Sequence, residues 1–210
     1  MPRSTVIRLL AGVAALIGWA ALVLQLVLIT RTLGPGQGAW RFVGFFTVLS
    51  NIAVATIASG IALGLDNRLT GARARLMGLT AIVTVGFIYS VVLRSMWNPT
   101  GWQKVADAGL HDVTPVLFAM LWAVTPHGGL RWRDVGAALV GPALYLAYAL
   151  SRGSVDGWYP YFFIDPTTQS PASLLASIAG VIVVFAIIAA AAVAIDQRLG
   201  RRAEAASLRS

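Results

Sequence analysis

Between Leu9 and Ile29 the chain carries 21 residues of which Gln25 alone is strongly polar. As a helix rising about 1.5 Å per residue, such a run covers the roughly 30 Å hydrocarbon core of a bilayer. Comparable runs recur to the end of the sequence. In lipid, backbone N–H and C=O groups must be satisfied inside the segment itself, so these runs predict helices rather than open sheets. The expected fold is all-α, an integral membrane bundle of six transmembrane helices forming a single domain over residues 1–210. The spans fall near 9–31, 42–65, 76–96, 110–125, 135–150 and 174–197. The first run exceeds the apolar core of a secretory signal, about 7–15 residues, and reads as a retained helix.

Turn-forming residues divide the runs. Gly34-Pro35-Gly36-Gln37-Gly38 favours a turn before the second span, and Trp97-Asn98-Pro99 stops the third. A loop with Lys104 and Asp107 is expected before the fourth span, which is short and carries His111, Asp112 and Pro115 in its first turns. Gly141-Pro142 predicts a kink in the fifth. Charged residues make up 11% of the chain, against about 25% in a soluble domain, and mean hydropathy is +0.77.

The net charge of +8 points to topology rather than to nucleic acid, because the arginines cluster between apolar runs and at the ends. Six spans place both termini on one side. Arg3, Arg8, Arg68, Arg73, Arg75, Arg131, Arg133, Arg198, Arg201, Arg202 and Arg209 fall there, whereas Arg31, Arg41, Arg94, Lys104 and Arg152 fall opposite. By the positive-inside rule both termini are cytoplasmic. With no cysteine and only two histidines, His111 and His127, no metal site or cofactor is expected. His127, in a Gly-rich basic loop, is expected to be solvated.

Chemistry concentrates in Phe45–Asn51, FFTVLSN, where Thr47, Ser50 and Asn51 are three and four apart and share a helix face. Facing lipid, that stripe would leave polar groups unsatisfied at several kcal/mol each by rough estimate, so it looks inward. His111 opens a span that begins on the same side. A threonine hydroxyl needs a base within hydrogen-bond reach to become a nucleophile, and an imidazole can serve. Thr47 and His111 are therefore the expected catalytic pair. Asn51, with Ser50 beside it, is the expected oxyanion support, and either Asp112 or Asp165 orients His111. Arg94 with Ser90 on its face would anchor a lipid carboxylate or phosphate. The turn-rich stretch Gly157–Asp165, GWYPYFFID, is either an aromatic belt or a lid over a lipid-entry cleft, with Tyr159 toward substrate. The structural alternatives are interhelical glue for Thr47, Ser50 and Asn51, a helix cap for His111 and Asp112, and a snorkelling Arg94.

FFTVLSN, RSMWNPTG from Arg94 to Gly101, LHDVTP around His111 and GWYPYFFID before the last span together resemble the Pr6Pr family of prokaryotic six-helix membrane proteins. That family is related to the eukaryotic androgen-induced and androgen-dependent membrane proteins. The resemblance runs from about Trp40 through the sixth span and rests on the order and spacing of the motifs. It implies an intramembrane threonine hydrolase that cleaves a lipid ester, such as a fatty-acid ester of a hydroxy fatty acid, with the threonine on Thr47 and the histidine on His111. It also implies a bacterial inner membrane, in which the arginine distribution puts the site toward the outer face. The segment before Thr47, the spacing of His111 to its proline and the LSN that follows Val48 depart from the eukaryotic pattern. Two other functions fit the same spans: a non-catalytic lipid-binding or regulatory membrane protein, and a small transporter. The transporter lacks polar residues at mid-depth in several spans and any evident internal repeat.

Overall fold

The computed structural model describes residues 3–207, so Arg209 of the basic tail lies outside them. Every regular element among these residues is helical. Helix α1 is Arg3–Leu33, α2 is Pro35–Phe42 and α3 is Phe46–Ala62. Helix α4, Ala72–Ile88, runs on into a π-helical turn, Tyr89–Leu93. Helix α5, Gly101–Ala108, passes through a second π-helical turn, Gly109–Val113, into α6, Thr114–Val124. Helix α7 is Asp134–Asp156, Phe162–Ile164 forms a short 3-10 turn, and α8 is Pro171–Ser207.

Four of these helices are long and apolar enough to cross a membrane: Ser4–Leu33, Ala72–Leu93, Asp134–Asp156 and Pro171–Ser207. The second expected span is not one straight helix. Helices α2 and α3 meet that test only together, with a 76° bend between them. The glycine-rich stretch is also not a plain turn: Gly34 breaks α1 at φ +81°, after which Pro35 starts α2, a place where its missing N–H costs nothing.

Three further boundaries differ from expectation. The fourth helical pass begins at Gly101 rather than near residue 110, so Lys104 and Asp107 stand on a helix and not in a loop. The polar faces of α5 hid it, because only Ala106 and Asp107 of that helix are buried. Helix α7 continues through Pro142 to Asp156. Helix α8 extends past residue 197, taking Arg198, Arg201 and Arg202 with it.

Helix α1 packs against α3, α3 against α4, and α4 against α6, α7 and α8. At one end Arg8 Nε donates to Ala62 O at 3.0 Å, Arg75 donates to the carbonyls of Thr70 and Pro126, and Gly128 packs against Gly200. These contacts gather the start of α1 and α4 with the ends of α3, α6 and α8. His127 belongs to this end and is not solvated: its side chain is 6% exposed and Nδ1 meets Asp196 Oδ1 at 3.1 Å. Asp196 also accepts from the Gly128 and Leu130 amides. Its carboxylate draws the loop onto α8, which sequence position alone did not reveal.

The core joins Ala11, Ala14 and Ala15 of α1, Ala58 of α3, and Ala189 and Ala192 of α8 to Leu76, Ile82 and Phe118. Large apolar side chains such as Leu16, Val116, Leu144 and Ile187 point outward instead. This inversion suits lipid, where helices gain nothing by hiding leucine and associate by close approach of small residues.

Candidate active site

Thr47 sits in the first turn of α3, where backbone N–H groups have no intrahelical partner. Its amide donates to the Tyr161 hydroxyl at 3.3 Å. The bend before it is held by α7, whose Tyr145 donates to Gly44 O at 2.9 Å and Tyr148 to Val43 O at 3.3 Å. These bonds satisfy carbonyls that the break releases. Tyr161 reaches Thr47 from the segment between α7 and α8, and its hydroxyl lies 3.4 Å from Thr47 Oγ1. Burial pushes the Tyr161 phenol above its ordinary pKa, so it stays protonated at neutral pH.

His111 lies in the π-helical turn between α5 and α6. Such turns carry one residue more per hydrogen-bonded loop and recur at functional sites. Here the wider turn precedes Pro115, which has no amide to give the helix. Gly86 lets α4 approach: a Cβ there would stand 3.1 Å from His111 O and 3.3 Å from Pro115. The His111 ring stacks on Tyr89 with centroids 4.0 Å apart.

Two acceptors face His111 Nδ1, the carbonyl of Asp107 at 3.1 Å and its carboxylate Oδ1 at 3.2 Å. That assigns the proton of the neutral ring to Nδ1 and leaves Nε2 as the acceptor. Nε2 points at Thr47 Oγ1, 3.4 Å away. The gap is longer than a finished hydrogen bond, about 2.8 Å, yet within the looser geometry of a nucleophile and base before substrate binds. Tyr89 donates to the other oxygen of Asp107. The sequence therefore assembles hydroxyl, imidazole and carboxylate in line, with Tyr161 beside the hydroxyl.

Two cavities meet at this line. One, of about 260 Å³, has walls from α4, α7 and α8 that include Ile88, Leu146, Val181 and Phe185. The other, of about 310 Å³, extends toward α1 and α5 and is bounded by Gln25, Gln103, Asp107 and Trp97. Thr47, Tyr89, Leu93, His111 and Tyr161 line both.

The other expected site residues are placed differently. Asn51 is fully buried and its amide is committed, donating to Thr47 O at 2.8 Å and Leu110 O at 3.2 Å. It ties α3 to the π turn and is not an oxyanion donor. Ser50 is buried, its hydroxyl has no partner among the described residues, and it lines neither cavity. Asp112 pairs with Arg94, away from His111. Asp165 turns its carboxylate onto Thr167 of its own loop. Arg94 lies over Tyr89, 4.7 Å from the ring centroid, and contacts Ser90 at 3.4 Å, but neither residue lines a cavity. Tyr159 packs its ring against Gly153.

Asp107, Tyr89 and Tyr161 are the site residues that sequence reasoning passed over. Asp107 is four residues before His111 and would share its face once α5 is read as a helix. Tyr161 is two residues from Tyr159, and in a non-helical stretch nothing in the spacing chooses between them. Comparison with family models, with curated proteins and with solved structures finds no match to this chain.

Proposed function

We propose that the protein is an intramembrane threonine hydrolase acting on a lipid ester. The observation that carries the reading is the Thr47 hydroxyl facing His111 Nε2 at 3.4 Å, with the Asp107 carboxylate behind the ring. Thr47 Oγ1 attacks the ester carbonyl carbon and passes its proton to Nε2. The C–O bond to the alcohol breaks, and the leaving oxygen takes the proton from the imidazolium. Water then attacks the threonyl ester, gives a proton to Nε2, and the acid departs as Thr47 regains its hydrogen. Asp107 stabilises the imidazolium in both halves. The Tyr161 hydroxyl is the donor best placed for the oxyanion.

In this reading the chain belongs with the Pr6Pr proteins and crosses a bacterial inner membrane six times, with both termini in the cytoplasm and the site toward the outer leaflet. The helices long and apolar enough to cross a bilayer, and the excess of arginine among the segments assigned to the terminal side, support that orientation. The bend between α2 and α3 counts as one crossing, as does the α5–α6 pass. Substrate enters from lipid and water from outside.

A second reading, lipid binding without turnover, draws support from the commitment of the Asn51 amide, which leaves one side-chain hydroxyl where an acyl-transfer site commonly has two donors. Purified protein incubated with a long-chain fluorogenic ester separates the two. Hydrolysis abolished by Thr47→Ala and by His111→Ala supports the hydrolase. Background hydrolysis in all three proteins, with tightly held lipid in the unmodified one, supports binding alone.

A further inference from the structure

The two cavities that meet at Thr47 differ in chemistry, and the difference bears on which half of an ester each can hold. The larger carries Gln25, the only strongly polar residue of the apolar run Leu9 to Ile29 in α1. Gln103 Nε2 donates to Gln25 Oε1 at 2.7 Å. This leaves Gln25 Nε2 as a donor and Gln103 Oε1 as an acceptor, neither with another partner among the described residues. Both residues are half-buried. They share that cavity with Asp107, and no lysine or arginine lines it. Arg94, the cation expected to receive a carboxylate, is paired with Asp112 and stands outside.

A free donor beside a free acceptor matches a hydroxyl, which both gives and takes a hydrogen bond. A carboxylate only accepts. In this cavity it would meet the Gln103 carbonyl and the Asp107 carboxylate with no cation to offset them, a like-charge arrangement that selects against a partner. The smaller cavity, walled by aliphatic and aromatic side chains from α4, α7 and α8, offers an acyl chain a dry channel.

We infer that the site takes an ester of a neutral, hydroxyl-bearing alcohol, with the acyl chain between α4, α7 and α8 and the alcohol's free hydroxyl on the Gln25–Gln103 pair. The inference rests on the hydrolase reading for the position of the scissile bond, but the assignment of the two cavities does not need turnover. It places the alcohol next to the route by which water arrives, so the leaving group departs outward while the acyl chain remains on Thr47.

Three oleoyl esters test it on the full chain in lipid nanodiscs: oleoyl glycerol, which is neutral with hydroxyls; butyl oleate, neutral without them; and an oleoyl ester of a hydroxy fatty acid, anionic. The expected order of kcat/KM is glycerol, butyl, anionic, each step about tenfold. Gln103→Leu brings the glycerol ester level with the butyl ester and leaves the anionic one last. An anionic ester preferred over the glycerol ester overturns the inference, as does a glycerol advantage untouched in Gln103→Leu. The matching uncleavable ethers are then measured for binding to the Thr47→Ala protein. The same order of affinity without turnover in the unmodified chain removes the hydrolase reading and keeps the assignment of the cavities, and turnover with the order inverted does the reverse. No order in either measurement removes the assignment of the cavities, and removes the hydrolase reading with it only where turnover is absent as well. If Gln103→Leu fails to fold, the order on the unmodified chain and on Thr47→Ala decides.

Discussion

Replacing Asp107 by asparagine tests the assembly of the site at its least expected member. The substitution keeps size and shape but removes a charge that lies 3.2 Å from His111 Nδ1. At that distance a unit-charge pair is worth about 5 kcal/mol at an effective dielectric near 20, and about half that where the cavity admits water. The attraction exists only once Thr47 has given its proton to the ring, so its loss falls on the transition state and on kcat rather than on substrate affinity. The proton on Nδ1 keeps the Asp107 backbone carbonyl as an acceptor at 3.1 Å, so the tautomer survives the change. The expected loss is therefore electrostatic alone, a fall in kcat of roughly 10²–10⁴ with KM little changed. Asp112→Asn is the control. Its carboxylate is 42% exposed and paired with an Arg94 that is 48% exposed, a kind of pair worth about 0–1 kcal/mol, so kcat stays within about threefold. Initial rates of ester hydrolysis by purified protein in nanodiscs read both. An Asp107→Asn protein with full kcat, or an Asp112→Asn protein with none, refutes the placement of the carboxylate behind His111.

Tyr161→Phe removes the phenol beside Thr47 Oγ1 and should lower kcat by about 10–10³, with a lower melting temperature as well because the Thr47 amide loses its acceptor; an unchanged rate would show that the oxyanion is held elsewhere. Asn51→Ala strips the side-chain donor from two buried carbonyls and should cost about 1–3 kcal/mol, seen as a lower melting temperature in detergent; a melt identical to the parent contradicts its role as a tie between α3 and the π turn. Because the chain has no cysteine, single replacements report topology cleanly: Thr168→Cys should react with a membrane-impermeant maleimide on intact cells and Asp66→Cys only after lysis, with the opposite pattern inverting the proposed orientation. Gly86→Val would press a side chain into His111 O and Pro115 and should reduce activity at least tenfold by rough estimate, since a displacement of about 1 Å at a catalytic group costs more than that.

The sequence spelled out the long helices because lipid leaves so few options: an apolar run such as Leu9 to Ile29 has to satisfy its own backbone. It was less able to mark where helices bend. Phe45 and Phe46 are as apolar as their neighbours, and the 76° turn between α2 and α3 is imposed by Tyr145, Tyr148 and the packing on Gly44, all from distant segments. The amphipathic α5 was invisible for the opposite reason. Gln103, Lys104 and Asp107 look like loop residues until Asp107 and Gln103 are seen turned inward at the cavity.

The same division governs the site. Thr47 and His111 could be brought to one end of the bundle from topology alone, but the choice among carboxylates could not. Asp112 is adjacent to His111 in sequence and turns away from it, because residues next to each other on a helix point about 100° apart, whereas Asp107, four residues earlier, lies over the ring. Asn51 shares the Thr47 face as its spacing demands, yet the π turn offers a carbonyl at Leu110 that captures its amide. Arg94 was expected at a ligand and is satisfied by Asp112 and the Tyr89 ring.

The central claim is that Thr47 becomes covalently acylated when His111 removes its proton. Mass spectrometry of the protein after treatment with a fluorophosphonate, with peptide mapping of the adduct, tests it most directly. The account predicts a single adduct on Thr47 that disappears in the His111→Ala protein and is slowed in Asp107→Asn. An adduct on another residue, or one on Thr47 that forms equally well without the imidazole, would contradict it.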